Sequence, residues 1–157
     1  MVRRAKVRDV PQMARLINAY AQKGQMLGRP MIELYECIRA FAVVERADKI
    51  VGCGSLAVIW NDIAEVRAVA VDEAHRGQGI GRRIVNALLE DAKVLEIPRV
   101  FCLTYQPGFF KKLGFQDVDK RDLPHKVWKD CINCPKFPDC DEIALILDFD
   151  AAHGTLS

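Results

Sequence analysis

The sequence lacks long hydrophobic runs, a strong excess of charge and internal repeats. The first two absences argue against a membrane protein and a nucleic-acid-binding protein. No stretch approaches the roughly 18 consecutive apolar residues that a membrane-spanning helix requires, and residues 1–11 contain no apolar core of the kind found in a secretory signal. The formal net charge of +2 is too small to indicate binding to nucleic acid or to an acidic membrane. We therefore expect a cytoplasmic protein with no nucleic-acid partner and no membrane contact.

Two common glycine-rich nucleotide motifs are also absent. A P-loop ends in Gly-Lys followed by Ser or Thr, whereas Gly81 is followed by Arg82 and Arg83. A dinucleotide fingerprint needs the spacing G-x-G-x-x-G, whereas Gly77, Gly79 and Gly81 are spaced G-x-G-x-G. The sequence therefore predicts neither a P-loop nucleotide site nor a Rossmann dinucleotide site.

What the sequence does contain is a different glycine-rich segment, RGQGIG at residues 76–81, between a strand-like run and a helix-like run. Glycine lets the backbone turn tightly and approach a ligand closely. A helix that begins there points free N–H groups and the positive end of its dipole at the loop, so a phosphate or pyrophosphate is the natural ligand. The alternative is an ordinary glycine-rich turn between a strand and a helix.

The segments around this loop have a definite order. Residues 64–72 (AEVRAVAVD) alternate like a strand, and the helix after the loop carries an apolar stripe. Residues 100–105 (VFCLTY) suit a buried strand, and residues 108–115 (GFFKKLGF) a one-turn helix that closes on a glycine. The other predicted elements are a strand at 2–6, a helix capped by Asp9, a helix at 31–39, a hairpin of 41–46 with 50–60 that turns at 47–49, and a strand at 143–149.

The order strand, glycine loop, helix, strand and F-F-x-x-x-G-F, over residues 64–115, resembles that of the GNAT N-acetyltransferases, whose coenzyme A loop reads Arg/Gln-x-x-G-x-G/A. The resemblance implies an α/β (α+β) GNAT fold with a mixed, mostly antiparallel central sheet, splayed in a V and flanked by about four helices. It also implies acetyl-CoA as cosubstrate, a small-molecule amine as acceptor and a homodimer. The length of 157 residues predicts a single domain over 1–157.

The resemblance also assigns contacts to coenzyme A. Main-chain groups of Val69 and Val71 would bind the pantetheine arm, and the backbone N–H groups of residues 76–81 would hold the pyrophosphate. The full set that it implies is Val69, Ala70, Val71, Arg76, Gly77, Gln78, Gly79, Ile80, Gly81, Thr104 and Phe110. A core-strand role for Val69 and Val71 is compatible with this assignment, because only their backbones take part.

Catalysis requires that the amine lose its proton before it attacks a thioester, and Glu65 is the predicted general base. The alternative is that Glu65 is a solvated carboxylate at the end of a strand. Many members of the family use a tyrosine in the F-[FY]-x-x-x-G-F segment as general acid to the thiolate, but Phe110 occupies that position here. We therefore expect proximity and orientation to supply most of the rate acceleration.

Several segments are similar to the acetyltransferase domain of N-acetylglutamate synthase, namely the strand before the loop, Leu103-Thr104, the FFxxxGF segment, DLP at 122–124 and Arg29-Pro30. The resemblance implies that Arg29 binds a carboxylate of L-glutamate, that Arg67 assists a second carboxylate and that Ala68 lends its backbone to the substrate. Such acetylation is the first step of arginine biosynthesis. The acidic segment 138–142 replaces a basic one in that family, so glutamine or aspartate stays open as the acceptor, and Arg29 could instead be a solvated loop residue.

Two other classes of function stay open. One is a GNAT enzyme for another amine, such as a protein N-terminus, lysine, polyamine or antibiotic. The other is a non-catalytic module that binds acyl-CoA or senses metal. Arg29 and Arg67 favour an anionic small acceptor over a cationic one.

The six cysteines fall into two groups. Cys37, Cys53 and Cys102 stand singly in apolar or helical segments and are predicted to be small buried hydrophobes. The other three lie in a Cys-rich loop at 125–142, where the candidate ligands of a structural zinc ion are Cys131, Cys134, Cys140 and His125. A reduced loop without metal and a redox disulfide are equally permitted.

Overall fold

The computed structural model describes residues 1–26, 28–124 and 142–149, and it contains seven strands and four α-helices in these ranges. The strands are β1 (Val2–Arg4), β2 (Phe41–Arg46), β3 (Lys49–Trp60), β4 (Ile63–Val71), β5 (Arg99–Thr104), β6 (Gln116–Asp117) and β7 (Ile143–Asp148). The helices are α1 (Val10–Gln22), α2 (Met31–Glu36), α3 (Ile80–Val94) and α4 (Pro107–Lys112). The predicted second helix is shorter than expected, because it ends at Glu36 and a 3-10 turn, Ile38–Ala40, follows it.

The strands form one sheet in the order β1-β2-β3-β4-β5-β7-β6. The pairs β1–β2, β2–β3, β5–β7 and β6–β7 are antiparallel. Strands β4 and β5 are parallel, with Ile63 opposite Arg99 and Glu65 opposite Phe101. The predicted mixed, mostly antiparallel sheet with four helices is therefore confirmed.

Contacts divide the chain into two compact units, and the first comprises Met1–Ala57 and Val66–Leu95. Its core includes the inner face of α1, with Val10, Met13 and Ile17 fully buried. Helix α3 packs directly on the backbone of β3, because a Cβ atom on Gly52 would lie 2.7 Å from a methyl carbon of Ile80. Glycine in β3 is therefore required by the closeness of this helix.

The second unit comprises Val58–Glu65 and the chain from Glu96 onward. Its core cluster contains Ile63, Phe101, Leu123 and Ala144. The parallel β4–β5 pair and the antiparallel β5–β7 and β6–β7 pairs build its part of the sheet.

The β2–β3 hairpin confirms the prediction of a turn near residue 48. Arg46 pairs with Lys49, which leaves Ala47 and Asp48 as a two-residue loop. Both residues have left-handed backbones, with φ of 51° and 63°. This is the geometry of the primed turns that match the right-handed twist of the flanking strands.

The predicted side-chain cap of α1 by Asp9 is wrong. The helix begins at Val10, but the Asp9 carboxylate makes no capping hydrogen bond to the N–H groups of α1. Its oxygens instead accept hydrogen bonds from the Arg3 guanidinium at 2.8 and 3.0 Å and from the backbone N–H of Lys6 at 2.7 Å. Arg3 also donates to Glu45 at 2.9 Å. A guanidinium with two carboxylate partners is a stronger donor than a helix N-terminus, so the cap is lost to a β1–α1–β2 ion-pair network.

Asp9→Asn should lower the free energy of unfolding by about 2–3 kcal/mol at neutral pH, because it breaks a largely buried ion pair. The hydrogen bond from Arg3 holds the pKa of Asp9 below its ordinary value of 3.8. The stabilisation is therefore present above about pH 4 and is lost as the pH falls through the folded-state pKa. Urea unfolding of both proteins at neutral and acidic pH measures this difference.

The control is Glu36→Gln, which changes an exposed carboxylate at the end of α2 and should alter stability by less than about 0.5 kcal/mol. If the loss of unfolding free energy in Asp9→Asn does not shrink at acidic pH, the ion pair between Arg3 and Asp9 is not its cause.

Candidate functional site

The glycine loop joins the end of β4 to the start of α3. Gly77 and Gly79 have left-handed backbones, with φ of 80° and 77°, and a Cβ atom on either would meet nothing within 4 Å. Backbone conformation, and not crowding, therefore requires glycine here. Gly79 is the N-cap of α3, and it has no side chain to accept a hydrogen bond from the first-turn N–H groups. The loop thus presents uncapped donors in open space, as an anion site requires.

Positive side chains surround this loop. Arg82 and Arg83 lie exposed in the first turn of α3. The Arg46 guanidinium, on β2, donates to the side-chain oxygen of Gln78 at 2.8 Å. The loop therefore combines the positive end of a 15-residue helix with guanidinium groups from two elements.

Tyr20, on α1, contacts Arg76 at the start of the glycine loop, and the sequence analysis did not predict this contact. Arg76 donates to the Tyr20 hydroxyl at 2.8 Å, and its guanidinium carbon lies 5.2 Å from the centre of the ring. The same hydroxyl donates to the carbonyl oxygen of Val71. Tyr20 falls on the inner face of α1, so its position in the helix was visible from the sequence while its two partners were not.

Strand β4 bends at Ala68, a predicted substrate contact. Ala68 has φ of 56°, which is rare for a residue with a side chain and costs on the order of 1 kcal/mol. The alternation of the strand is lost there, since Arg67, Ala68 and Val69 are partly exposed in succession. The predicted pantetheine residue Val69 thus follows a backbone outlier, and Ala70, the next predicted contact, is buried again.

Arg29 lies just before α2, and its side chain is only 21% exposed. The guanidinium donates to the carboxylate of Glu33, in the first turn of α2, and the backbone N–H donates to the Asn18 side chain at 3.2 Å. Arg29 is therefore a partly buried loop residue, and its role toward a substrate carboxylate stays a prediction. The glycine loop, the bend in β4 and this arginine all belong to the first unit.

Glu65 belongs to the second unit and is buried, with 9% exposure. The alternative of a solvated strand-end carboxylate is therefore wrong. Burial raises the pKa of the Cys102 thiol, and the negative charges of Glu65 and Glu142 raise it further. Glu65 thus lies close to Cys102, which is itself buried.

Two predicted coenzyme A contacts, Thr104 and Phe110, lie in the second unit, and each has a partner within the protein. The Thr104 hydroxyl accepts the backbone N–H of Gln106 at 2.8 Å, just before α4. Phe110 is buried, with ring centres 5.0 Å from Phe109 and 5.3 Å from Phe115 in edge-to-face geometry. Their roles toward coenzyme A stay predictions.

The candidate zinc ligands Cys131, Cys134, Cys140 and His125 lie outside the described residues. Within the described ranges, no group of three or more His, Cys, Asp or Glu side chains is placed to hold a metal ion. Cys53 and Cys102 are buried as predicted, but Cys37 is exposed, because it follows the early end of α2. No helix in the described part of the chain is long and apolar enough to span a membrane.

Residues 38–117 match the family model of the acetyltransferase (GNAT) domain. The chain belongs to the GNAT acetyltransferase family. This match contains β2 to β6, the glycine loop and α3, and it confirms the recognition of an acyltransferase made from the loop and its flanks.

Two curated relatives match this chain over most of their own length. An uncharacterized N-acetyltransferase of Chlorobaculum tepidum is 40% identical over 148 residues, which cover 92% of this chain and 94% of that protein. The amino-acid acetyltransferase of Mycobacterium tuberculosis is 42% identical over 131 residues, covering 82% of this chain and 75% of that one.

Two solved structures are similar along nearly the whole chain. Rv2747 of Mycobacterium tuberculosis, in complex with CoA and NLQ, has a TM-score of 0.82 and 36% identity, and the match covers 94% of this chain and 98% of that one. N-acetylglutamate synthase of Neisseria gonorrhoeae, complexed with coenzyme A and N-acetyl-glutamate, has a TM-score of 0.86 and 25% identity. That match covers 95% of this chain but only 35% of the synthase.

Gly79→Ala should weaken the binding of CoA about ten-fold, because a side chain at positive φ costs about 1 kcal/mol and moves the N–H groups of the loop. The matched control is Gly24→Ala. Gly24 has φ of 72° and no neighbour within 4 Å, so the substitution carries the same strain outside the loop. Calorimetric titration with CoA and thermal unfolding compare them. Equal loss of CoA affinity in both variants would show that the loop has no special role.

Proposed function

We propose that the protein transfers the acetyl group of acetyl-CoA to the α-amino group of a small acidic amino acid, with L-glutamate as the first candidate. Such a reaction would begin arginine biosynthesis. The observation that carries the proposal is the glycine loop with uncapped helix N–H groups, in a unit that also contains a partly buried arginine at residue 29. The curated relative named an amino-acid acetyltransferase supports it.

Binding of coenzyme A is supported by the loop and by the similar structures. A Cβ atom on Gly77 or Gly79 would meet nothing within 4 Å, so there is free space beside the loop. The N-terminus of α3 offers N–H donors suited to a pyrophosphate. Exposed Arg82 and Arg83 add positive charge for a polyanionic ligand. Rv2747 and the gonococcal synthase were both solved with CoA.

An acidic acceptor is supported by the arginines of the first unit. A guanidinium can bind a carboxylate with two parallel hydrogen bonds. In the proposed complex the substrate carboxylate competes with Glu33, which is the present ion-pair partner of Arg29. Arg67, two residues from Glu65 along β4, is a second cation for a dicarboxylate. The gonococcal complex contains N-acetyl-glutamate, which agrees with this choice of acceptor.

The chemistry we propose is direct attack of the amine on the thioester. Glu65, buried at the start of β4, accepts the proton of the amine, directly or through water. A backbone N–H at the bend of β4 stabilises the negative charge that develops on the thioester oxygen, a contribution of about 3 kcal/mol for one donor. Phe110 cannot donate a proton, so the thiolate leaves without a dedicated acid at that position.

Release of free thiol, measured with acetyl-CoA and each of the L-amino acids, lysine peptides and polyamines, tests the acceptor. We expect turnover with L-glutamate, and an increase of about ten-fold or more in its KM for Arg29→Ala with little change in the KM for acetyl-CoA. Glu33→Gln is the matched control, because it removes the ion pair but keeps the guanidinium, and it should not raise the KM for glutamate. Turnover with polyamines but none with glutamate would reject the proposal.

Glu65→Gln should lower kcat/KM about 100-fold at neutral pH, the effect expected for loss of a general base. Its rate should recover as the pH rises toward the pKa of the free amine, because solvent then removes the proton. A pH–rate profile of both proteins measures this, with the exposed Glu90→Gln as control. A uniform loss of rate at every pH would argue against proton transfer by Glu65.

A further inference from the structure

Two side chains of β3 face the bend in β4. The Ser55 hydroxyl donates to the carbonyl oxygen of Arg67 at 3.3 Å, and the Cys53 thiol donates to the carbonyl oxygen of Ala68 at 3.6 Å. Both donors are buried, with 6% exposure for Ser55 and 0% for Cys53. They lie on one face of β3, opposite to the face where Gly52 and Gly54 meet α3.

The two accepting carbonyl groups flank the residue with the unusual backbone. Ala68 has φ of 56°, so the peptide groups before and after it depart from the regular strand. A carbonyl that leaves the regular ladder needs another donor, from the protein or from water. Ser55 and Cys53 supply one donor to each of these two peptide groups.

The direction of each carbonyl determines the direction of an N–H group. In a planar trans peptide, the C=O of one residue and the N–H of the next point in opposite directions. By holding the carbonyl of Arg67, Ser55 turns the N–H of Ala68 away from β3. By holding the carbonyl of Ala68, Cys53 turns the N–H of Val69 away in the same manner.

We propose that Cys53 and Ser55 are positioning residues, whose hydrogen bonds to the bend aim the N–H groups of Ala68 and Val69 at the acetyl carbonyl of the cosubstrate. The inference rests on the proposed function, in which a backbone N–H at this bend meets the thioester oxygen. Neither side chain touches the reacting atoms. Their role is to keep two donors preorganised in a strained turn, so that no reorganisation is needed as charge develops.

The thiol is suited to this role at any working pH. Burial raises the pKa of Cys53 to about 12, although a backbone hydrogen bond from Ala70 partly offsets the rise. The group therefore stays protonated and remains a donor. Met13 and Ile17 belong to the same core cluster as Cys53, and neither carries a titratable group.

The experiment compares two ligands that differ at the acetyl carbonyl. CoA lacks this carbonyl, and an acetyl-CoA analogue with a methylene in place of the thioester sulfur keeps it without reacting. Calorimetry should show tighter binding of the analogue than of CoA to the wild-type protein. In the double variant Cys53→Ala/Ser55→Ala the affinity for the analogue should fall about ten-fold, while that for CoA changes less than about two-fold.

Rescue separates positioning from packing. Cys53→Ser and Ser55→Cys keep a donor at each site and should retain the preference for the analogue and most of kcat. Ile17→Ala removes core packing from the same cluster but leaves both donors to the bend in place, and it should lower stability but leave the preference unchanged. If the double variant does not fold, the single variants Cys53→Ala and Ser55→Ala carry the same comparison.

Two results would overturn the inference. One is equal affinity of the wild-type protein for both ligands, because the N–H groups then do not meet the carbonyl. The other is an equal loss for both ligands in the alanine variants, which indicates a structural role only. Tight analogue binding without turnover of any amino acid would reject the proposed acceptor chemistry and leave the positioning inference standing.

Discussion

The turn from β4 into α3 depends on two left-handed residues, Gly77 and Gly79, and the candidate site depends on that turn. Only glycine adopts such a backbone without strain, and here no side chain would be crowded. The turn lets α3 start with glycine at its N-cap, so its first N–H groups face the loop without a competing side chain. Tyr20 and Arg46 then fix the loop from α1 and β2 through Arg76 and Gln78.

Strand β4 combines a structural and a chemical role. Its first residues are buried and include Glu65, while its middle bends at Ala68 and its end leads into the glycine loop. The bend costs energy that a regular strand would not, and buried donors on β3 offset it. Strain that is stabilised by dedicated hydrogen bonds, in a strand that also carries a buried carboxylate, is typical of functional sites.

Local patterns allowed the order of elements and the position of the loop to be predicted. Glycine spacing, apolar periodicity and the F-F-x-x-x-G-F segment act over a few residues, so they are visible in the sequence. The contacts of Tyr20 with Arg76, 56 residues away, and of Ser55 with Arg67, 12 residues away, depend on how elements pack and were not predicted. Asp9 shows that local rules can also fail. Sequence rules favour Asp9 as a helix cap, but its carboxylate binds Arg3 and the Lys6 N–H instead.

The central claim is that the N–H groups of the glycine loop and of the first turn of α3 hold the pyrophosphate of coenzyme A. Titration of the ¹⁵N-labelled protein with CoA, followed by amide NMR spectra, tests it most directly. The account predicts that the largest changes in amide chemical shift fall on Gly77, Gly79, Ile80 and Gly81. Saturable binding of CoA that leaves these four amides unchanged would contradict it.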